Sequence, residues 1–217
     1  MILDDQFVEE QSAGSKIELY LKDNKERHNM ASRTLMFVCL LVGLSTVSSI
    51  LLWLGAPYSM MFKLIGALDV LVLIAVIVAA VLFIMWFRRA YFNLNQFRFQ
   101  WLYCSEGWAA GAWFVPIVNL FFPYRIMLDL DKGYGLIDEK SRDYANELST
   151  LIGWWWGFWI VSRLTNQGMK YFLGLFDYSF LLVLFAKLGF IAAGILLIRI
   201  MREIHARENR ILQRSRL

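Results

Sequence analysis

Two ionisable residues, Asp69 and Lys187, lie inside long apolar stretches of this 217-residue chain. A charged side chain in the hydrocarbon of a membrane is costly, so such residues usually face the inside of a helix bundle and pair with each other. If both stretches are helices that enter from the same face, the lysine ammonium can extend to the depth of the aspartate. We therefore expect a buried Asp69–Lys187 ion pair. The alternative is two side chains that extend separately to the membrane surface.

A second polar set surrounds a proline-containing apolar segment, residues 108–123, and we expect it to lie near the cytoplasmic surface. Its members are Arg89, Asn93, Asn119, Arg125 and Asp129. One interpretation is that a half-helix presents its amides to an anion here, as transporters do. We favour a simpler one, in which Asn119 satisfies backbone groups freed by Pro116 and Arg125 meets lipid phosphate.

No other pattern predicts chemistry. The two histidines, His28 and His205, lie in polar arms, and Cys39 and Cys104 are 65 positions apart, which fits neither a zinc motif nor a disulfide. The local motifs of nucleophilic, nucleotide-binding and metalloprotease sites do not occur. We therefore predict no catalytic, cofactor-binding or metal-binding residue, and no cofactor.

The composition is that of a membrane protein. Apolar residues make up 59% of the chain and charged residues only 18%, whereas soluble domains carry about 25% charged residues. Apolar stretches of more than about 20 residues are long enough to cross a bilayer. These features exclude a soluble enzyme, a disordered chain and a disulfide scaffold, and they predict an all-α integral membrane protein.

The apolar pattern predicts four transmembrane helices, with a polar arm before them and a basic tail after them. The arm is 1–33, with a short helix that follows the capping box at 15–18, and the tail is 199–217. The spans are 34–56, 64–87, 148–166 and 178–198. Residues 108–123 are too short to span and are interrupted by Pro116, so we expect this segment to be re-entrant or interfacial.

The distribution of basic residues decides the orientation. With four spans, 18 Lys and Arg residues fall on one side of the membrane and three on the other. Cytoplasmic loops carry the excess of Lys and Arg, so both termini are expected on the cytoplasmic side of the membrane. Five spans would place the six arginines of the tail outside. We expect this tail to bind anionic lipid headgroups rather than nucleic acid, because it has no aromatic side chains to stack on bases.

Three motifs carry a resemblance to a known family: MWFRRAYFNLNQF from Met85, WAAGAWFVPIVNLFFPYRIM from Trp108, and WWWGFW from Trp154. Over roughly residues 64–162 the chain resembles the bacterial membrane family named domain of unknown function 4328. The resemblance implies a helical membrane fold and no reaction. The matching positions are Trp86, Arg89, Ala90, Asn93, Trp113, Phe114, Pro116, Asn119, Pro123, Tyr124, Trp155 and Trp159.

These observations favour a non-enzymatic, multipass inner-membrane protein that acts as a subunit or regulator of a membrane assembly. Its partners would be the lipid bilayer and either another membrane protein or further copies of itself. The alternative is a small homo-oligomeric pore or transport protein whose path is lined by Asp69, Lys187 or the Asn119 segment. A third and less favoured class is a membrane enzyme that acts on lipids through the second polar set.

Overall fold

The computed structural model describes residues 21–102, 104–138, 145–167 and 179–214, and the regular secondary structure in these ranges is helical, with no strand among them. Six α-helices and one 3-10 turn, Val118–Leu120, make up the structure. The α-helices are α1 (Lys25–Trp53), α2 (Tyr58–Asn95), α3 (Glu106–Gly111), α4 (Phe122–Ile137), α5 (Ala145–Gln167) and α6 (Ser179–Arg214).

Three helices are long and apolar enough to cross a membrane: α1, α2 from Phe62, and α6 from Phe180. The shortest of these has 29 residues. At 1.5 Å per residue such a helix is about 44 Å long, which exceeds the roughly 30 Å of a hydrocarbon core. The structure is therefore compatible with a membrane protein.

A tight turn joins α1 to α2. Gly55 has φ +98°, a left-handed conformation that glycine adopts without the steric cost of a Cβ. Its neighbour Ala56 donates its amide to the carbonyl of Leu51 at 3.0 Å and closes the end of α1. Pro57 follows as the N-cap residue of α2, with φ −56° and ψ 115°. The two helices therefore form an antiparallel hairpin.

Contacts at the helix ends define two ends of the bundle. At the "loop end", Trp53 of α1 stacks on Phe180 of α6 with ring centroids 5.2 Å apart. At the "polar end", Asn93 of α2 binds Glu208 of α6. Helix α1 therefore runs from the polar end to the loop end, whereas α2 and α6 both run back towards the polar end.

Helix α5 runs antiparallel to α6. Near the start of α6, Gly189 lies beside α5, because a Cβ added to it would be 2.6 Å from the Ser162 hydroxyl oxygen. Further along α6, Leu197 lines the same cavity as Trp155 of α5. The chain therefore travels from the polar end towards the loop end along α5 before it returns along α6.

The helices extend further than the apolar pattern indicated. Helix α1 begins at Lys25 rather than near Thr34, and α6 continues beyond Ile198 to Arg214 without a break. The part of α6 after Ile198 is stabilised by packing, because Ile200 and Ile204 are fully buried in the main apolar core. Residues 1–20, including the capping box, lie outside the described part of the chain.

Residues 108–123 do not form one helix. They comprise most of α3, a series of turns, the 3-10 turn and the start of α4. Trp113 packs against Phe83 and Phe87 of α2, with ring centroids 5.4 and 6.2 Å apart. In contrast, Phe114 and Ile117 are 77% and 75% exposed. One side of the segment is therefore anchored in the bundle and the other presents apolar side chains outward.

Candidate functional site

Asp69 and Lys187 meet at the hydroxyl of Ser45 on α1. The Lys187 ammonium donates to Ser45 Oγ at 2.8 Å, and Ser45 Oγ donates to Asp69 Oδ1 at 3.0 Å. Ser49, one helical turn along α1, accepts a further bond from the ammonium at 3.1 Å. We call these four residues the serine–lysine site. The structure thus brings the two expected residues together by way of a hydroxyl group.

The electrostatics of the serine–lysine site follow from this order of donors. The ammonium is a donor only and the carboxylate an acceptor only, so the Ser45 hydroxyl is polarised between them. Ser45 is 1% exposed, whereas Asp69 is exposed on the outer face of α2. Lys187 is half-buried, so the site holds its cation at the edge of the bundle and its anion at the surface.

The two serines were missed by the sequence analysis, although a signal was present. Ser45 and Ser49 are four residues apart in an apolar helix, so both lie on one face. Hydroxyl groups on one face of a membrane helix commonly bond across to another helix. That face could have been matched to the two charged residues.

A second buried polar group, also missed, lies at the polar end around Glu208. This carboxylate is 1% exposed and accepts hydrogen bonds from Asn93, from Asn24 Nδ2 at 3.3 Å and from the Tyr134 hydroxyl at 3.4 Å. The Nδ1 atom of His205 lies 3.4 Å from it. We call Glu208 and these four residues the Glu208 network. It joins α2, α4, α6 and the segment before α1.

Asn93 also holds the backbone of the segment that precedes α1. Its side-chain oxygen accepts from the Lys22 amide at 2.9 Å, and its Nδ2 donates to the Lys22 carbonyl at 2.8 Å. Asn24 adds a bond from Nδ2 to the Trp86 carbonyl at 3.2 Å. Residues 22–24 are therefore fixed to α2 before α1 begins.

Two arginines of the expected basic tail form ion pairs with α4 and the residue after it. Arg207, 1% exposed, donates to Asp131 Oδ1 at 2.8 Å, and Arg210 donates to Asp138 Oδ2 from two nitrogens at 2.7 and 3.0 Å. Burial raises the pKa of the Asp131 carboxyl, and the Arg207 guanidinium opposes that rise. Of the other tail arginines, Arg216 lies outside the described residues, and three are exposed: Arg199, Arg202 and Arg214.

The second polar set has diverse partners in the structure. Asn93 belongs to the Glu208 network, whereas Asp129 accepts a hydrogen bond from the Tyr91 hydroxyl at 3.4 Å. Asn119 Oδ1 is buried and accepts no hydrogen bond from the described residues. Arg125 is exposed and Arg89 half-buried. The set is therefore distributed over α2, the 3-10 turn and α4.

Tryptophans of α5 form an aromatic cluster with Trp113. Trp156 stacks on Trp159 at 4.6 Å and donates its indole N–H to the Leu120 carbonyl at 3.2 Å. Trp113 meets both rings edge-on, at 6.4 and 6.1 Å. Arg163 lies 5.3 Å above the Trp159 ring, a cation–π distance. The cluster holds the 108–123 segment against α5.

Most of the remaining motif positions are packing positions around this cluster. Trp86 and Ala90 are fully buried in α2, Trp155 is 2% exposed, and Tyr124 stacks on Trp156 at 6.3 Å. Pro123 is buried in the first turn of α4, whereas Phe114 and Pro116 are exposed.

A family model described as "Domain of unknown function (DUF4328)" matches residues 56–206, more than two-thirds of the chain. The chain belongs to this family. The DUF4328 domain is longer than the 64–162 expected from the motifs. It contains Asp69, Asn93 and Lys187, whereas Ser45 and Glu208 lie outside the matched range. The family description assigns no activity.

No curated protein and no solved structure matches the chain. Among the residues that the structure describes, no group of three or more His, Cys, Asp or Glu side chains is arranged to hold a metal ion.

Proposed function

We propose that this DUF4328 protein is a non-enzymatic, multipass protein of the bacterial inner membrane that acts as a subunit or regulator of a membrane assembly. The observation that carries the proposal is the exposure of Asp69. It lies on the outer face of α2, about 8 Å along the helix from Leu64. Ser45 donates to one of its oxygens, and the acyl chains of lipid offer no hydrogen-bond donor to the carboxylate. A carboxylate that faces acyl chains without enough hydrogen-bond donors is energetically costly, and a second membrane protein that supplies a donor at this depth would remove that cost.

The proposal includes four membrane crossings with both termini in the cytoplasm. Support comes from the direction of the helices: α2 ends at the polar end, and α6 begins at the loop end. The chain between them must cross the bundle, and α5, with 23 residues and about 34 Å of length, runs in that direction. Helix α5 is then the fourth span, although it is not among the three helices that length and composition alone identify as able to cross a membrane.

The proposal also treats residues 108–123 as a re-entrant segment. Support comes from the anchoring of Trp113 among the aromatic rings and from the outward exposure of Phe114 and Ile117. Irregular backbone is tolerated at membrane depth where protein covers it. Helices α2 and α5 supply that cover.

Native mass spectrometry of the protein extracted gently from its own membrane tests the assembly. We expect a stoichiometric second polypeptide with the unmodified chain, and at least about tenfold less of it with Asp69→Leu, because a charge-assisted contact is lost. Glu26→Gln, an exposed acid at the polar end of α1, is the matched control and should leave the complex intact. A lone monomer, or a complex that Asp69→Leu does not weaken, would contradict the proposal.

The second candidate function is a homo-oligomeric pore or transport protein. It is favoured by the serine–lysine site, which places two titratable groups on either side of a buried hydroxyl. In this case, native mass spectrometry should show a clean homo-oligomer. Liposomes containing it should conduct ions, and Asp69→Asn or Lys187→Met should reduce the flux, with Lys63→Gln as the control. Liposomes that remain ion-tight would reject this candidate.

A further inference from the structure

Three arginines lie together where the start of α1 passes the last turns of α2 at the polar end. Arg27 of α1 donates from Nη1 to the Met85 carbonyl of α2 at 3.2 Å. Arg88 and Arg89 follow Met85 by three and four positions, so they lie on the same face of α2, about 5 Å further along its axis. The guanidinium of Arg27 is repelled by those of Arg89 and Arg88. We call these three arginines the arginine cluster.

The arginine cluster carries three positive charges that no acidic side chain compensates. No carboxylate of the described residues lies within ion-pair distance of Arg27, Arg88 or Arg89. The cluster can be reached from outside, because Arg88 is exposed and the other two arginines are half-buried. Like charges held close together repel each other, and an anion bound between them would relieve that repulsion.

An apolar strip continues from the arginine cluster along the outer side of α1 and α2. Met30 and Phe37 of α1 are 54% and 50% exposed, and Val81 and Met85 of α2 are 53% and 41% exposed. Their spacings of seven and four residues place each pair on one face of its helix. Because α1 and α2 are antiparallel, both pairs extend from the cluster in the same direction, towards the loop end.

A group of cations at one end of an apolar strip fits a phospholipid better than a free anion. Guanidinium groups bind phosphate oxygens through two parallel hydrogen bonds, so the cluster suits a phosphate headgroup. The acyl chains of the same molecule would then lie along the strip. Three uncompensated charges exceed the single charge of a headgroup with one phosphate diester. A headgroup with two phosphates therefore matches the cluster better.

We propose that the arginine cluster and its apolar strip bind one anionic phospholipid whose headgroup carries two phosphate groups. The phosphates contact the three guanidinium groups, and the acyl chains contact the exposed apolar side chains. The site shares with the proposed function only the premise that α1 and α2 lie in a membrane. Met85 is about 24 Å along α2 from Asp69, so this site and the assembly at Asp69 can fail separately.

Photo-crosslinking tests the site with the full chain reconstituted into phosphatidylethanolamine vesicles. One set of vesicles contains cardiolipin, a phospholipid with two phosphates, that carries a diazirine in one acyl chain. A second set contains phosphatidylglycerol, which has one phosphate, with the same diazirine and the same total lipid charge. We expect cardiolipin to label residues 30–37 and 78–85 and to reach half-saturation at a charge fraction at least about fivefold lower than phosphatidylglycerol does.

Two double variants separate the arginine cluster from net charge. Arg27→Gln with Arg88→Gln should raise the cardiolipin fraction at half-saturation at least about tenfold, because two of the three guanidinium contacts are lost. Lys25→Gln with Arg98→Gln removes the same charge from exposed positions outside the site and should change that fraction less than about twofold. An equal effect of both double variants would show a general influence of charge and would overturn the proposal.

Results with the unmodified protein can also overturn the proposal, and they do not depend on whether a variant folds. One is cardiolipin labelling that rises linearly with the probe fraction or spreads evenly over the outer faces of the helices. Another is half-saturation by both lipids at the same charge fraction, which would remove the role of the second phosphate. The last is abolition of the labelling by inorganic pyrophosphate equimolar with cardiolipin, which would make the cluster a site for free phosphate.

Discussion

At the scale of single residues, buried charges are the features that the sequence showed least clearly. Asp69 and Lys187 could be identified because each is isolated in an apolar stretch. Their link through Ser45 could not be identified from the sequence. Which face of α1 turns towards them depends on how α1 packs against two other helices. Arg207 was expected at a lipid surface, but it is buried. The sequence could not show this, because its partner Asp131 lies on another helix, 76 positions away.

The Arg207–Asp131 pair yields a pH-dependent prediction. Arg207→Met leaves the Asp131 carboxylate buried without its guanidinium, and removing one partner of a buried pair costs about 3–5 kcal/mol. The pKa of Asp131 is already raised by burial, and it will rise further without Arg207. The folded variant then holds a proton more tightly than its unfolded chain, so its stability falls as pH rises through that raised pKa.

We therefore expect the Tm deficit of Arg207→Met in detergent to be small near pH 4–5 and larger near pH 8, the interval above the ordinary aspartate pKa of about 3.9. Arg202→Met, at an exposed position of the same helix, is the control and should show a small deficit at every pH. A deficit of Arg207→Met that stays constant with pH, or shrinks as pH rises, would count against the role given to Asp131.

At the scale of helices, apolar length located α1, α2 and α6 well. Apolar length located the ends of these helices poorly. A helix continues through polar residues where another helix packs against it, and the apolar pattern does not show this. The end of α6 had a usable signal: Ile200, Ile204 and Ile211 recur at spacings of four and seven, which is the period of a helix with one buried face. The irregular backbone of residues 112–121 had only Pro116 as a signal, and its anchoring by Trp156 depends on a contact 36 positions away.

Helix α5 gives the prediction at this scale, since the membrane crossing that we propose for it would separate its two ends. In a chain with Cys39 and Cys104 replaced by alanine, Arg163→Cys and Glu147→Cys place a single thiol at exposed positions near opposite ends of α5. A membrane-impermeant maleimide added to spheroplasts should label Arg163→Cys at once. It should label Glu147→Cys only after the membrane is opened.

The thiol at position 147 should then react as fast as that at position 163, which controls for local accessibility. Equal labelling of both thiols in intact spheroplasts would show that α5 does not cross. The replacement of Cys104 is a precaution only, because its thiol has a pKa raised by burial and is a slow nucleophile at neutral pH.

At the scale of the whole molecule, charge is concentrated at the polar end. Three exposed arginines of α6 remain there after Arg207 and Arg210 have formed their ion pairs: Arg199, Arg202 and Arg214. Basic side chains near a membrane surface attract anionic lipid by about 1 kcal/mol each. This retained charge supports the expectation from the sequence that the basic tail binds anionic headgroups.

Replacing all three exposed arginines with glutamine should lower the phosphatidylglycerol that co-purifies with the protein, measured by lipid mass spectrometry. About 3 kcal/mol of attraction is lost, so we expect a reduction of at least tenfold in the tightly bound fraction. Lys63→Gln, near the loop end, should not change it. An unchanged lipid content in the triple variant would mean that the arginines do not hold headgroups.

The Glu208 network has a consequence for the biogenesis of the protein. Asn24 and Glu208 are separated by 184 positions, so the ribosome adds all the residues between them before the carboxylate that binds this asparagine exists. Until α6 has inserted, the donors of Asn24, Asn93 and Tyr134 lack their common acceptor. The segment before α1 is therefore secured by a residue that is made much later, and a chain whose synthesis stops before α6 leaves this segment without that contact, so that proteases can recognise it.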